Sequence, residues 1–475
     1  MMDLISAAVG GYVVECNDEF FAEAENLIKI SDAVWREGEY TDRGKWMDGW
    51  ETRRRRDEGF DWCVLALGIP GRVERVTIDT AHFTGNYPEE FSLDACGIPH
   101  GSDLVGAAWT EVIPRSGLKG DSSSTFDVAA DNRITHLRLN IYPDGGVARL
   151  RVEGTPIPDA QQVCSEGVTD LATSLVGGVA LAASDLHYSP PSNLLRPTDS
   201  VGMWDGWETK RRRGPGHDWA VFRLGLPGHI EALTVDTSHF KGNSPGWVSL
   251  DVSEDGAAWS EVVARAPVEP DTVSHVPLLE TAHAGYVRLS IHPDGGLARL
   301  RVLGRADPSS TSELRLIYLN SLFDPQAEGF FSTVCASPRW VDEMLAHRPY
   351  ETVADVLATA ETSFDRLGDD DWLEAFAGHP RIGEIGDATS QREQAGALES
   401  ADATKVLLAE INTQYEAKFG FVYLVHASGK TGPQLLAIAQ SRLENEREEE
   451  VVNASRQQRL IASTRLSKML CLESG

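Results

Sequence analysis

The 475-residue sequence lacks any apolar run near the roughly 20 residues that cross a bilayer, and its N-terminus lacks the basic and apolar segments of a secretory signal. Its last residues, Glu473-Ser474-Gly475, are not a peroxisomal address. These absences argue against a membrane-embedded or secreted protein. We therefore expect a cytoplasmic one.

Cysteine is scarce as well, since only six are present and no two form a C-x-x-C pair. This scatter argues against a zinc knuckle and a disulfide framework, and it predicts reduced core thiols. Basic residues number 43 against 72 acidic ones, and the formal net charge of −29 excludes the broad basic face that nucleic acid requires. Two arginine runs stand out as local positive islands suited to a small anion.

One stretch of the sequence is present twice. Asp48-Gly49-Trp50-Glu51-Thr52-Arg53-Arg54-Arg55-Arg56 returns as Asp205-Gly206-Trp207-Glu208-Thr209-Lys210-Arg211-Arg212-Arg213. Further on, 79–83 returns as 236–240 and 142–146 as 292–296. The separation between matching positions of the two copies falls along the chain, from 167 (10 to 177) to 157 (48 to 205) and then to 150 (142 to 292). The first copy therefore carries ten extra residues before its arginine run and seven more before Trp109. A duplicated module with surface-loop insertions explains this pattern.

Within each copy, apolar and polar residues alternate in short runs, as in 73–79, 91–94, 136–141 and 147–152. This alternation is typical of β-strands, and Pro-Gly and Asp-Gly-Gly sequences supply tight turns. After residue 313 the spacing becomes helical over 350–367, 402–419 and from 431 onward, and the acidic run 444–450 is predicted to be a solvated helix face. The predicted fold is multidomain: two all-β jelly-roll sandwich repeats, 1–160 and 161–312, followed by an all-α helical domain, 313–475.

The repeated polar residues allow two interpretations. Guanidinium groups and carboxylates in this arrangement can hold a small anion and move protons. Alternatively, Asp79 and Asp236 cap turns at strand ends, Trp50 and Trp207 are core residues, and the histidines are structural hydrogen-bonders. Single-sequence reasoning leaves both open.

Residues 10–305 resemble allantoicase, a two-repeat jelly-roll family that hydrolyses allantoate to ureidoglycolate and urea. The resemblance rests on the duplicated Asp-Gly-Trp-Glu-Thr-(Arg/Lys)-Arg-Arg-Arg and Asp-Thr-(Ala/Ser)-His-Phe-(Thr/Lys)-Gly-Asn motifs. It implies a catalytic set of Asp48, Glu51, Asp79, His82, Asp205, Glu208, Asp236 and His239, and a substrate-binding set of Arg54, Arg211, Asn86 and Asn243. A divalent metal is possible in this half, but no compact H-x-H or H-x-x-x-H spacing predicts one.

The helical half resembles the decarboxylase of 2-oxo-4-hydroxy-4-carboxy-5-ureidoimidazoline (OHCU), which forms (S)-allantoin. His-Pro-Arg-Ile-Gly at 379–383, Ser-x-x-Glu-Gln at 390–394 and Lys-Phe-Gly-Phe at 418–421 carry this resemblance. On spacing alone, a helix-capping histidine beside a solvated glutamate remains the simpler interpretation. The resemblance implies a catalytic pair, His379 and Glu393, that needs no cofactor. It implies a substrate site lined by Pro380, Ser390, Gln391, Arg392, Gln394, Phe421, Val422, Tyr423, Leu424, Val425 and, in the last helix, Arg465.

Together these resemblances predict a bifunctional enzyme of purine (urate) breakdown that acts on small ureido substrates, binds no nucleic acid or membrane, and forms a homo-oligomer. Allantoin ring opening separates its two steps, so we expect no direct channelling between them. The alternative is a tandem β-sandwich ligand-binding module fused to an active decarboxylase. In a third option, one repeat is catalytic and the other structural.

Overall fold

The computed structural model describes residues 2–99, 102–159, 167–381 and 402–472. The chain divides into two compact units, Met1–Leu322 and Phe323–Gly475. The first unit holds both sequence copies and is built of β-strands, whereas the second is helical. Two jelly-roll sandwich repeats followed by an all-α domain are thereby confirmed, while the domain limits drawn from the sequence remain predictions.

The first copy contains twelve strands in its described part. They are β1 (Met2–Asp3), β2 (Tyr12–Cys16), β3 (Tyr40–Thr41), β4 (Gly44–Lys45), β5 (Trp50–Glu51), β6 (Asp61–Asp79), β7 (Glu90–Cys96), β8 (Thr110–Gly117), β9 (Ser123–Asp127), β10 (Arg133–Tyr142), β11 (Gly146–Val147) and β12 (Arg149–Pro156). Short 3-10 helices cover Ala7–Val9 and Ala24–Ile28. Three of the four alternating runs of the sequence lie within these strands, and the fourth, 147–152, spans β11 and β12 with Ala148 between them.

Strand β6 belongs to both layers of the first sandwich. Its first half pairs with β2 and β10, and β10 continues the sheet to β7 and β8. Its second half pairs with β9 and β12, and β12 pairs with β1. All of these pairings are antiparallel, and the β6–β10 register shifts near Gly71, where the strand passes from one layer to the other. A strand that changes sheets at an irregularity is a usual corner of a β-sandwich.

The second copy repeats this topology. Its strands are β13 (Thr169–Asp170), β14 (Val179–Ala183), β15 (Trp207–Glu208), β16 (Asp218–Asp236), β17 (Trp247–Ser253), β18 (Ser260–Pro267), β19 (Val273–His292), β20 (Gly296–Leu297) and β21 (Arg299–Ala306), with 3-10 helices at Ser174–Val176, Pro191–Leu195 and Met203–Asp205. Strand β16 takes the place of β6, and β19 covers the positions of both β9 and β10.

The sandwich cores are formed by the inward-facing residues of these strands. In the first copy Leu65, Ile78, Phe91, Leu139 and Val152 are fully buried. Full burial of such side chains stabilises the fold by about 1.5–3 kcal/mol each before the entropy cost is counted. The period-2 pattern of the sequence therefore identifies the buried face of each strand.

A helix of 14 residues, α1 (Pro308–Ser321), follows β21 and belongs to the first unit. Leu314 packs against the core of the second sandwich, and the guanidinium of Arg133 lies 5.4 Å from the ring centre of Tyr318. These contacts assign α1 to the first unit, which ends at Leu322. In the sequence, the helical spacing of apolar residues was placed after residue 313. Helical periodicity marks where helices begin, but packing decides to which unit each helix belongs.

The second unit contains seven further helices in its described part. They are α2 (Asp324–Val334), α3 (Pro338–Ala346), α4 (Val353–Phe364), α5 (Asp369–Ala377), α6 (Asp402–Phe419), α7 (Gly432–Arg442) and α8 (Arg447–Met469). The three helical segments expected from the sequence are present as α4, as α6, and as α7 with α8. Stacked aromatic rings run through the core of this unit, from Trp340 to Phe364 to Trp372, with centroids 5.3 and 5.5 Å apart. No described helix has the length and apolarity needed to cross a membrane.

Four of the six cysteines, Cys16, Cys63, Cys96 and Cys335, are free thiols, as predicted. Burial raises the pKa of Cys335 to about 11, which keeps this thiol protonated and unreactive at neutral pH. Cys471 is disulfide-bonded, so the prediction of six reduced thiols was wrong for this residue. Sequence spacing could not reveal it, because a disulfide depends on distance in space. Cys164 lies outside the described residues.

Candidate active sites

The duplicated arginine-run motif contains a buried tryptophan in each copy. Trp50 is fully buried, and its indole N–H donates to the backbone carbonyl of Asp18 at 2.8 Å. Strand β5 pairs with β11, so that Glu51 lies opposite Gly146. Trp207 is equally buried in the second copy. The tryptophan is thus a core residue, and it fixes the strand that carries the next residue, a glutamate.

Asp48, predicted to be catalytic, lies in a buried ion pair. Nη2 of Arg149 donates to its carboxylate at 2.8 Å, and Nζ of Lys29 and a backbone N–H donate to the same group. Burial alone would raise the pKa of Asp48, but these hydrogen bonds outweigh it and lower the pKa. In the second copy, Asp205 is held in the same way by Arg299 and Arg196. The carboxylate of Asp48 therefore stays charged, and both carboxylates have partners already.

Glu51 has a different environment. Its Oε1 accepts from Nδ2 of Asn86 at 2.6 Å, and Glu208 and Asn243 repeat the bond at 2.7 Å. Burial raises the pKa of Glu51, and the hydrogen bond from Asn86 offsets this only in part. A carboxyl group with a raised pKa retains its proton closer to neutral pH, as a general acid requires. The structure thus brings together two predicted catalytic residues, Glu51 and Glu208, with two predicted substrate-binding residues, Asn86 and Asn243.

The arginine runs divide into paired and exposed guanidinium groups. Arg53 pairs with Asp18, and Arg55 pairs with Asp61 at 2.6 Å. Arg54 is exposed, and no carboxylate of the described ranges lies within 4.0 Å of its guanidinium. Arg211 in the second copy is exposed in the same manner. The paired arginines fix the loop, and the exposed ones remain available to an anionic ligand.

The Asp-Thr-(Ala/Ser)-His-Phe turn begins where β6 ends. Oδ1 of Asp79 accepts from the backbone N–H of Ala81 at 2.9 Å, which caps the turn. His82 has a φ of 71°, and its backbone N–H donates to Asp121. Its Nε2 lies 3.2 Å from the carbonyl oxygen of Ala33. Because a carbonyl only accepts, Nε2 carries a proton in this contact, which leaves Nδ1 as the ring nitrogen that can accept one. The second copy repeats these bonds with Asp236, Ser238, His239, Asp271 and Ser200.

The Asp-Gly-Gly motif is explained by close packing behind these turns. A Cβ added at Gly146 would lie 2.0 Å from Cε1 of Phe83, and the same clash joins Gly296 to Phe240. Gly145 has a φ of 141°, a conformation that side chains of L-residues disfavour. The glycines therefore let the turn and the glutamate strand approach each other closely.

The ten inserted residues distinguish the first copy. They include the β3–β4 hairpin, whose Lys45 Nζ lies 3.8 Å from the ring centre of Trp35. The ring of Trp35 lies 5.9 Å from that of His82. In the second copy Nδ2 of Asn243 instead approaches Sδ of Met203 at 3.8 Å. The first candidate site thus has an aromatic and cationic wall beside its histidine, and no ring contact to His239 is found among the described residues.

In the helical unit, His379 lies at the C-terminal end of α5, where its backbone N–H donates to the carbonyl of Phe376. Its Nε2 lies 2.6 Å from Oε1 of Gln458, a fully buried residue of α8. Nε2 of Gln458 has no hydrogen-bond partner in the described part of the chain. The fully buried amide of Gln458 therefore fixes one nitrogen of the predicted catalytic histidine.

The other predicted decarboxylase residues have mixed outcomes. Glu393, Ser390, Gln391, Arg392 and Gln394 lie outside the described residues, so their roles stay predictions. Pro380 follows His379 and is half-buried. Phe421, Tyr423, Leu424 and Val425 bury their side chains, and Val422 is half-buried. Substrate contact through the four buried residues would therefore involve their backbone. Arg465 donates to the carbonyl of Thr333 and lies seven positions after Gln458, on the same face of α8.

The acidic run at 444–450 was predicted to be solvated, which is wrong for its last residue. Glu450 is fully buried, and it accepts from Nε of Arg442 at 2.7 Å and from the hydroxyl of Tyr415. Nδ2 of Asn445 donates to the second carboxylate oxygen. Only the last part of the run lies in α8, which begins at Arg447, and Glu450 lies on the side of this helix that faces Arg442 and Tyr415. A buried arginine partner then made a glutamate acceptable there.

Three or more His, Cys, Asp or Glu side chains placed to hold a metal ion are not found among the described residues. His82 and His239 each have Nε2 against a carbonyl oxygen. That the decarboxylase needs no cofactor therefore stays a prediction. A divalent ion in the first unit likewise stays possible but not predicted.

The family model for allantoicase repeats matches residues 2–157 and 169–307. The chain belongs to the allantoicase family. A probable allantoicase from Pseudomonas paraeruginosa is 46% identical over 320 residues, which cover 64% of this chain and 96% of that protein. One from Acinetobacter baumannii is 42% identical over 64% of this chain and 93% of its own length. The crystal structure of allantoicase from Saccharomyces cerevisiae superposes with a TM-score of 0.55 at 35% identity, covering 64% of this chain and 93% of that one.

The remaining part of the chain belongs to a second group, since residues 320–467 match the OHCU decarboxylase model. The chain thus combines allantoicase repeats with an OHCU decarboxylase domain, as both resemblances predicted. The sequence analysis missed Arg149 and Arg299 in the allantoicase repeats and Gln458 in the decarboxylase domain. The 150-residue offset that relates 142 to 292 also relates 149 to 299, so the repeat contained this signal. Gln458 offered no such signal, because only the fold brings it to His379.

Proposed function

We propose that the chain is a bifunctional enzyme that hydrolyses allantoate to (S)-ureidoglycolate and urea and decarboxylates OHCU to (S)-allantoin. Membership of the allantoicase family and the decarboxylase domain match support both activities. For hydrolysis, the observation that carries the assignment to a site is Glu51, a desolvated carboxyl group held by Asn86 and followed by an arginine run.

Hydrolysis replaces one urea group on the central carbon of allantoate by the hydroxyl of a water molecule. The departing urea nitrogen must gain a proton, and the water must lose one. Glu51, whose pKa is raised by burial, is the proton donor to the urea nitrogen. Nδ1 of His82, left as an acceptor, takes the proton from water. Arg54, which has no carboxylate partner among the described residues, binds the substrate carboxylate.

Asp48 and Asp79 act by positioning rather than by proton transfer. The carboxylate of Asp48 already accepts from Arg149 and Lys29, and its lowered pKa leaves it without a proton to give. Asp79 caps the turn that carries His82. The equivalent residues of the second copy, Asp205 and Asp236, have the same positioning role.

We place hydrolysis in the first copy, because Trp35, which lies in the longer loop of this copy, has its ring 5.9 Å from that of His82. Replacing Glu51 by Gln keeps the hydrogen bond geometry but removes the proton donor, and kcat for urea release should fall by about 100-fold or more. The matched control is Glu208→Gln, which should stay within about threefold of the parent. Urea release from allantoate by the full chain is measured for each variant.

Equal losses in the two variants would show a doubled or shared site and contradict this placement. Saturable binding of allantoate without urea release would instead support the binding-module alternative. The same assay before and after treatment with a chelator tests for a divalent ion. Loss of urea release that a divalent ion restores would show that the enzyme depends on a metal.

For decarboxylation, loss of CO2 leaves an electron pair on the substrate that must be protonated on one face. His379 supplies this proton, and Gln458 orients the imidazole through its Nε2. His379→Asn should abolish decarboxylation and leave urea release intact; retained decarboxylation would remove His379 from the mechanism.

Gln458→Leu should lower kcat and shift its pH profile, whereas the matched variant Gln457→Leu on the same helix should leave the profile unchanged. A Gln458→Leu profile identical to the parent's would contradict the positioning role.

The remaining parts of the proposal concern the setting of the enzyme. We place it in the cytoplasm as a homo-oligomer acting on free small ureido substrates. Light scattering coupled to size exclusion measures the assembly, and a monomeric mass at micromolar concentration would contradict the oligomer.

A further inference from the structure

The outer face of one sheet in the second sandwich opens into a cavity of about 860 Å³, which we call the second-copy cavity. Strands β16, β17, β18 and β19 supply its walls, and His217, Trp219, Ser249, Glu261, Arg265 and His292 are among its lining residues. Pockets of this size hold small molecules. None of these residues belongs to the proposed hydrolytic set.

The first copy has the matching surface, with Glu111 at the position of Glu261, but its arginine is neutralised. Arg115 occupies the position of Arg265, at the 150-residue offset, and its Nε donates to Glu90 at 2.6 Å. The Arg115 guanidinium also lies 4.2 Å from the ring centre of Tyr142, whose ring neighbours Phe60. Because the guanidinium of Arg115 is paired with a carboxylate and packed against an aromatic ring, it is poorly suited to bind an anion.

In the second copy the residues that neutralise this arginine are replaced. Trp247 stands where the first copy has Glu90, and no carboxylate of the described residues lies within 4.0 Å of Arg265. His292 stands where the first copy has Tyr142. Its Nδ1 lies 3.5 Å from Nη2 of Arg265, and its Nε2 lies 3.0 Å from Oγ of Ser249. The imidazole is therefore neutral, with Nδ1 accepting and Nε2 donating, and no other hydrogen bond of the Arg265 guanidinium is found among the described residues.

The other end of the second-copy cavity is acidic. The pairing of β17 with β18 puts Asp251 opposite Glu261. Asp251 accepts from Nε of Arg288 at 3.0 Å, whereas Glu261 has no ion-pair partner in the described part of the chain. Each end of one strand thus presents one unmatched charge, positive at Arg265 and negative at Glu261. The complementary ligand has a carboxylate at one end and N–H donors at the other.

We propose that the second-copy cavity binds a small linear carboxylate that carries ureido or amide N–H groups. Arg265 receives the carboxylate, and Glu261 accepts from the N–H groups. The two copies thus differ at the arginine, which is paired with a carboxylate in the first copy and is available to a ligand in the second. This site is separate from the proposed hydrolytic centre. Its ligands belong to the same chemical class as allantoate, the ureido acids.

The probe is hydantoate, N-carbamoylglycine, titrated calorimetrically into the full chain, with acetate as the carboxylate lacking N–H donors. Arg265→Gln should weaken one class of hydantoate sites by about tenfold or more, since a charge-assisted contact is lost. Arg115→Gln is the matched control and should leave the titration unchanged. Acetate should bind at least about tenfold more weakly than hydantoate, because it makes no contact with Glu261.

Urea release from allantoate is measured for the same variants, and Arg265→Gln should retain it within about twofold. Identical hydantoate titrations of the parent and Arg265→Gln would overturn the proposal, and equal binding of acetate would overturn its N–H part. Joint loss of hydantoate binding and urea release would place the cavity in the hydrolytic site and overturn the separation. Hydantoate binding that depends on Arg265 in a chain without urea release would support this site while contradicting the proposed hydrolysis.

Discussion

Replacing Arg149 by Met removes the most extensively bonded side chain beneath the first candidate site. Arg149 is 2% exposed and donates five hydrogen bonds, to three backbone carbonyls within 31–48, to the carbonyl of Ala148 and to the carboxylate of Asp48. Methionine has similar length and no donors. The substitution therefore leaves a buried carboxylate and several carbonyls without their partner.

The expected cost follows from this geometry. Removing one member of a buried ion pair typically costs about 3–5 kcal/mol, because the other charge stays buried without compensation. Lys29 still lies 3.2 Å from the carboxylate of Asp48, so the loss should fall near the lower limit, about 3 kcal/mol. For a domain of this size each kcal/mol lowers Tm by about 2–4 °C, which gives a decrease of about 6–12 °C.

Differential scanning calorimetry of the full chain measures this change. Arg53→Met is the control, because Arg53 is 65% exposed in its pair with Asp18 and should contribute at most about 1 kcal/mol. The double variant Asp48→Asn with Arg149→Met should recover part of the loss, since no charge is left uncompensated. A decrease for Arg149→Met no larger than that of the exposed control would refute the buried-pair reasoning.

Two further predictions concern stability. Gly146→Ala should destabilise the first sandwich by about 2 kcal/mol or more, because the new Cβ would lie 2.0 Å from the ring of Phe83; an unchanged Tm would show that the ring moves aside freely. The hydrogen bond to Asp307 raises the pKa of His283. The stability from this pair should therefore be complete below about pH 6.5 and lost as pH rises through the folded-state pKa. Because both groups are partly exposed, this stabilisation should be at most about 0.5 kcal/mol. The Tm difference between the parent and His283→Gln should therefore shrink from about pH 5.5 to about 8.5. A difference that grew with pH would contradict the predicted direction.

Periodicity and duplication in the sequence determined most of the fold. The alternating runs became strands because a half-buried sheet needs an apolar residue at every second position, and the segment at 402–419 matched a helix because its spacing fits one face. The repeated motifs also nominated residues for the candidate site, including Glu51 and Asn86. Such features depend on residues a few positions apart, which a sequence displays directly.

Only the tertiary structure decided what those residues contact. Asp48 and Glu51 are three positions apart, yet Asp48 lies beneath a buried guanidinium 101 residues away and Glu51 beside an amide. Glu450 stands in an acidic run but is buried because Arg442 and Tyr415 meet it. The charge and proton affinity of a carboxyl group depend on its neighbours in space and on the water excluded from them. Residue type and spacing name the candidates, whereas three-dimensional proximity sets their chemistry.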